Sequence, residues 1–96
     1  MKKIKLPEPR QYPKKVYFQN ECYKIEFKKK LDCYGKTNAK NKTIHIKSGI
    51  SARETLATFI HELLHVIEFE MPVRLKHKTV YKLEKAVLEI LLDNFL

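Results

Sequence analysis

The chain has 96 residues, which is enough for one domain with a small core. Apolar residues make up 44% of it, which excludes a disordered chain, and no apolar run is long enough to cross a membrane. The net charge of +9 is compatible with nucleic acid, an anionic membrane surface or an acidic protein as partner, but a basic balance alone selects none of them.

The first fifteen residues are predicted to form an extended N-terminal arm of this single domain. Pro7, Pro9 and Pro13 lie there among charged residues, and proline favours extended and turn backbone. The opening MKKIKLPEPR has the charge of a secretory signal but no apolar stretch behind it. Cys22 and Cys33 lack the C-x-x-C spacing of redox or zinc motifs, so they are predicted to be reduced. The sequence therefore predicts a cytoplasmic protein.

Alternating side chains after the arm predict a small antiparallel sheet of two or three strands. Tyr23, Ile25 and Phe27 alternate with charged residues, as in a half-buried strand. Residues 31–37 are a candidate for a further strand. An Asn- and Lys-rich turn follows at 37–42, and TIHIK at 43–47 alternates again.

Two helices are predicted to follow the sheet, which makes the fold class α+β. Ser51 and Glu54 form a capping box at the start of the first helix. That helix should end near Met71, because Pro72 disfavours helical backbone in the residue before it. A second helix is predicted from about residue 77 to residue 94, a stretch without Gly or Pro.

The first helix carries His61, Glu62 and His65 in the order H-E-x-x-H. Residues four apart lie on one side of a helix, so the two imidazoles can share a zinc ion. Glu62 lies one residue round, where it can act as general base toward a water molecule without being a ligand. The alternative is that both histidines face solvent or hydrogen-bond within the fold.

A catalytic zinc usually has a third protein ligand, and Glu84 is the predicted one. It falls on the apolar stripe of the second helix, where an unpaired carboxylate is costly. A salt bridge to Lys or Arg is the alternative. His77, on the same face, could be the ligand instead or could donate to an oxyanion. Tyr81 is another candidate oxyanion donor, and Glu68 could orient a histidine.

HELLH with a downstream glutamate on a second helix resembles the gluzincin branch of zinc metallopeptidases. A longer pattern, YGKT…KTIHI…SARETLATFIHELLHVIE and then LEKAVLEILLDN, resembles small ImmA/IrrE-type metallopeptidases of phages and mobile elements. It covers about residues 34–94. The resemblance implies a minimal zincin-like domain in which His61, His65 and Glu84 bind zinc and Glu62 is the catalytic acid/base.

The same resemblance implies that the strand at residues 44–47 is the sheet edge along which an extended substrate lies. Some relatives cleave repressors, but this sequence lacks the helix-turn-helix domain that often accompanies longer members. The expected function is zinc-dependent hydrolysis of peptide bonds in a protein substrate. The alternative is a catalytically silent, metal-containing binding protein with a regulatory or nucleic-acid partner. A structural site would not need Glu62 between its histidines. No membrane partner is predicted.

Overall fold

A four-stranded sheet and two helices make up the fold in a computed structural model that describes residues 6–71 and 73–94. The strands are β1 (Lys15–Phe18), β2 (Glu21–Lys28), β3 (Gly35–Asn38) and β4 (Thr43–Lys47). The helices are α1 (Ala52–Glu70) and α2 (His77–Asn94). The predicted α+β class, with a small sheet, an HExxH helix and a C-terminal helix, is confirmed.

The sheet is mixed, whereas the sequence predicted antiparallel pairing throughout. Its strand order is β1-β2-β4-β3, with β2 and β4 parallel and the other two pairs antiparallel. After β2 the chain passes to the outer position, forms β3, and returns through a turn into β4. Strand β3 runs opposite to β2, and the turn after β3 reverses the chain again. Strand β4 therefore runs in the direction of β2.

The prediction that residues 44–47 form the sheet edge is wrong. Strand β4 lies between β2 and β3 and is paired on both sides. An extended peptide therefore cannot add to its backbone. The edge strands are β1 and β3.

One face of the sheet forms a core with α1. Tyr23, Ile25, Ile44 and Ile46 are buried together with Val66 of the helix. The residues that alternate with them in β2 are exposed, as the period of two in a strand requires. The predicted half-buried strands at 23–27 and 43–47 therefore lie within β2 and β4.

The ends of α1 follow its sequence signals. The Ser51 hydroxyl accepts a hydrogen bond from the Glu54 amide at 3.1 Å, and it donates to the Glu54 carboxylate at 2.9 Å. The helix ends at Glu70, and Met71 has extended backbone with φ −111° and ψ 146°. Pro72 lies outside the described residues. In the described part of the chain, neither helix is long and apolar enough to cross a membrane.

A second core cluster joins α1, α2 and the N-terminal segment. Its buried members are Tyr12, Leu56, Ile60, Leu88 and Leu92. The segment predicted as an extended arm contains a short 3-10 helix, Pro9–Gln11, just before Tyr12. The Tyr12 ring packs edge-on against two phenylalanine rings, with centroids 5.0 and 5.8 Å away. Residues 1–5 of the predicted arm lie outside the described residues.

Candidate functional site

The two histidines of the HExxH motif point their Nε2 atoms at each other. These atoms are 3.1 Å apart, and the side chains of His61 and His65 are only 16% and 21% exposed. Two nitrogens bound to one tetrahedral zinc at about 2.05 Å would be about 3.3 Å apart. The spacing of the two donors therefore fits a shared metal ion.

Each histidine also contacts a carboxylate through its other ring nitrogen. His61 Nδ1 lies 2.7 Å from Oε1 of Glu84, and His65 Nδ1 lies 3.1 Å from Oε1 of Glu68. An ionised carboxylate only accepts hydrogen bonds, so opposite such a carboxylate the Nδ1 atom is the donor. In the neutral rings, both Nε2 atoms then direct lone pairs at each other. A cation between them, a proton or a metal ion, removes that repulsion.

Glu68 orients His65 rather than standing free in solvent. Its carboxylate also accepts a hydrogen bond from the Leu75 amide at 3.0 Å. This backbone hydrogen bond, with the contact to His65, holds the pKa of Glu68 below its ordinary value. A carboxylate that fixes the tautomer of a metal-binding imidazole is a common outer partner in metal sites.

Glu84 reaches the site, but not the point between the two Nε2 atoms. Its partner is Nδ1 of His61, on the opposite side of that ring. Within residues 6–71 and 73–94, no three His, Cys, Asp or Glu side chains converge as metal ligands. In this arrangement Glu84 is a partner that positions His61, and its role as third ligand stays a prediction. Among the described residues, Glu84 makes no salt bridge to Lys or Arg, which was the predicted alternative.

The other two predicted residues of α2 lie beside the histidines. The Tyr81 ring centroid is 5.2 Å from that of His61, and the His77 centroid is 6.3 Å from that of His65. Tyr81 is 54% exposed. Both side chains therefore border the site from the side of α2, and their role as oxyanion donors stays a prediction.

Glu62 is buried, at 4% exposure, and strand β3 holds it. The Thr37 hydroxyl donates to Oε1 of Glu62 at 2.7 Å. A Cβ atom on Gly35 would lie 2.8 Å from Oε2 of Glu62 and 2.5 Å from Cγ2 of Thr58, so only glycine fits there. Neither Thr37 nor Gly35 was predicted from the sequence as a site residue. A lone glycine in a predicted strand signals close backbone approach, and that signal was present at Gly35.

A cleft of about 530 Å³ opens over these residues. Its walls come from β3, α1, α2 and the loop before β3: Cys33, Tyr34, Gly35, Glu54, Ala57, Thr58, His61, Glu62, Tyr81 and Glu84. A cleft of this size holds a few side chains of a ligand. Glu62 and His61 therefore line an open cleft in the size range of ligand sites.

Comparisons with protein-family models, curated proteins and solved structures found no match for this chain. The resemblance to gluzincins therefore rests on the sequence motif and stays a prediction.

Proposed function

We propose that this protein is a zinc-dependent metallopeptidase that hydrolyses peptide bonds in a protein substrate. The observation that supports this most is the pair of Nε2 atoms 3.1 Å apart, each on a ring whose other nitrogen contacts a carboxylate. A buried glutamate lies next to this pair on the same helix. A donor pair, outer carboxylates and a neighbouring base are recurring parts of sites for metal-assisted hydrolysis.

The roles follow from where each side chain lies. His61 and His65 would hold the zinc through Nε2, and Glu84 is the proposed third ligand, for which it must exchange its contact with His61. Bound zinc supplies a Lewis acid and lowers the pKa of a water molecule. Glu62 would act as general base toward a water molecule in the cleft and then as general acid toward the leaving amine.

Thr37 gives Glu62 a fixed orientation for this proton transfer. Its hydroxyl donates a hydrogen bond to Oε1 of Glu62, and Oε2 of Glu62 lies beside Gly35 at the cleft. A base must lie within hydrogen-bond reach of the proton it moves, so the second oxygen is the one we assign to the chemistry. Glu68 keeps hydrogen on Nδ1 of His65, which leaves Nε2 free to bind metal.

Strand β3 is the edge on which we place the substrate. It is paired with β4 on one side and is the outermost strand of the sheet. Its residues Gly35 and Thr37 lie at Glu62, so an extended peptide added to β3 would run past the proposed base. This replaces the strand at 44–47, which is paired on both sides.

A second candidate function is a catalytically silent binding protein. The observation that favours it is the outer face of the sheet, where exposed and half-exposed lysines outnumber the single glutamate, Glu26. These lysines are Lys15, Lys24, Lys28, Lys36 and Lys47. An acidic partner, including nucleic acid, would bind such a face with strong dependence on salt.

The Glu62→Gln variant distinguishes the two functions. The amide has the size of the carboxylate but cannot take the proton, so zinc binding and fold should persist while proteolysis falls by about 100-fold or more. Wild type and variant are incubated with cell lysate, and newly formed peptide termini are compared by mass spectrometry. Equal numbers of new termini in the two samples would remove Glu62 from the mechanism. A zinc-loaded wild type that forms none would favour the binding protein.

A further inference from the structure

The side of α2 that faces away from the core carries an apolar stripe. The helix packs through other positions, namely Val80, Leu88 and Leu92, which are buried. Leu83 and Ile90 are 38% and 55% exposed, and Ala86 is exposed between them. The three are spaced by three and four residues, so they form one line along the helix. This is the spacing at which helices pair with each other.

The exposed charges of α2 are divided between its two halves, whereas Glu84 is partly buried and contacts His61. Lys78, Lys82 and Lys85 lie in the first half, and Glu89 and Asp93 lie in the second. All five are exposed. A helix dipole favours the reverse order, with acids near the N-terminus and bases near the C-terminus. The first turn of α2 has no acid and its last turn has no base. The order is therefore unfavourable for the helix alone.

We propose that α2 pairs in antiparallel orientation with α2 of a second copy of this chain, crossing near Ala86. Leu83 precedes Ala86 by three residues and Ile90 follows it by four, so Leu83 of one copy approaches Ile90 of the second copy. Lys82 precedes Ala86 by four residues and Glu89 follows it by three, which brings opposite charges together. A small residue at the crossing point lets the two helices approach closely.

The charge pattern is what selects a second copy in this orientation. An antiparallel neighbour brings the acidic half of one helix to the basic half of the other, twice, by the twofold symmetry of the pair. Lys78, eight residues before Ala86, and Asp93, seven residues after it, meet in the same way. In a parallel pair the two charged flanks would lie on opposite sides, so these ion pairs would not form. In the antiparallel pair the dipoles of the two helices also point in opposite directions, which is favourable.

The dimer leaves the cleft open and does not depend on the proposed function. Glu84 and Tyr81 line the cleft, and they project from a different side of α2 than the stripe. Neither a metal ion nor a substrate contributes to the interface.

Analytical ultracentrifugation of the full chain at concentrations up to about 1 mM tests the dimer. Wild type should show a reversible monomer–dimer equilibrium. Ile90→Lys and, separately, Leu83→Lys should each raise the dissociation constant at least about tenfold. Tyr17→Lys is the matched control, because Tyr17 is 71% exposed on β1, away from α2, and should leave the constant unchanged. Circular dichroism verifies that the variants are folded.

A charge exchange tests the orientation. Lys82→Glu and Glu89→Lys should each weaken the dimer, because each places like charges together. The double variant Lys82→Glu/Glu89→Lys should restore the dissociation constant to within about threefold of wild type. A monomeric wild type across the whole range, or an unchanged dimer in both stripe variants, would overturn the proposal. A double variant as weak as the singles would overturn the antiparallel arrangement.

Discussion

Thr37 and Glu62 lie 25 residues apart in the chain, yet their side chains meet at 2.7 Å. The relation among His61, Glu62 and His65 could be predicted, because helix geometry alone places residues four apart on one side. The contact of Thr37 could not be predicted in the same way. It depends on which strand lies beside α1 and on the register of that strand, and neither is encoded in a local pattern.

Glu84 shows how far a residue-level prediction extends. Its position on the apolar stripe correctly indicated that the carboxylate needs a partner within the fold. The partner is the imidazole of His61. Which oxygen and which ring nitrogen meet depends on side-chain rotation, and sequence spacing carries no information on that.

Substitutions at Glu84 separate a ligand from a positioning residue. We expect Glu84→Ala to weaken zinc binding at least about tenfold, since losing either a ligand or the partner of His61 has that effect. His77→Ala should change it less. Glu84→Gln separates the ligand role from the positioning role. Its amide oxygen can still accept a hydrogen bond from His61 Nδ1, but it is a poor zinc ligand. Isothermal titration with zinc measures all three. A His77→Ala protein that loses zinc while Glu84→Ala keeps it would reverse the assignment.

At the level of elements, the close approach of β3 to α1 builds the site. Gly35→Ala would bring a methyl group against Thr58 and Glu62, and overpacking of this kind lowers the free energy of unfolding by about 1–3 kcal/mol. Adding Thr58→Ser removes the nearest methyl group, at 2.5 Å, and should recover part of the loss. Urea unfolding measures both variants. Equal stability of Gly35→Ala and wild type would mean that β3 and α1 move apart at little cost.

A second junction between elements joins the end of α1 to the sheet. The Glu70 carboxylate accepts hydrogen bonds from Lys42, in the turn before β4, and from the buried Tyr23 hydroxyl, each at 2.5 Å. These two hydrogen bonds hold the pKa of Glu70 below its ordinary value, and the bond from Lys42 has the larger effect. Burial raises the pKa of Tyr23 to about 12, so its hydroxyl remains a donor at neutral pH.

The stabilisation by Glu70 should depend on pH in one direction. Because its pKa is lower in the folded protein, the contribution is complete above the ordinary carboxyl pKa of 4.5 and is lost as pH falls through the folded value. Glu70→Gln should therefore lower the urea midpoint at pH 7, and the gap to wild type should close below pH 4.5. Asp32→Asn, on an exposed loop, is the control. A gap that is the same at pH 3 and pH 7 would contradict this role.

The strands show why the sheet was only partly predictable. Period-two alternation located β2 and β4, because burial of one face imposes it. The boundary between β1 and β2 is a two-residue turn at Gln19 and Asn20, with φ of 53° and 64°, in the left-handed region. Asn favours that conformation, so the turn had a signal, whereas Gln gave none. The parallel pairing of β2 with β4 arises from long-range chain path and had no local signal.

On the scale of the whole molecule, the cleft and the basic sheet face lie on different surfaces. Both the core side of the sheet and the cleft are formed with α1, whereas the lysine-rich face points away from that helix. If the proposed acidic partner binds the sheet face, the cleft should therefore remain accessible. The net charge of +9 predicts that such binding would weaken steeply with salt.

All proposed roles of the cleft depend on a metal ion shared by His61 and His65. The measurement that tests this most directly is elemental analysis of the purified protein after loading with zinc and dialysis. About one zinc per chain should remain in wild type and essentially none in the His61→Ala variant. Zinc should also raise the melting temperature of wild type only, since binding to the folded state is linked to folding. A folded wild type that retains no zinc, or a His61→Ala protein that retains as much as wild type, would contradict the metallopeptidase.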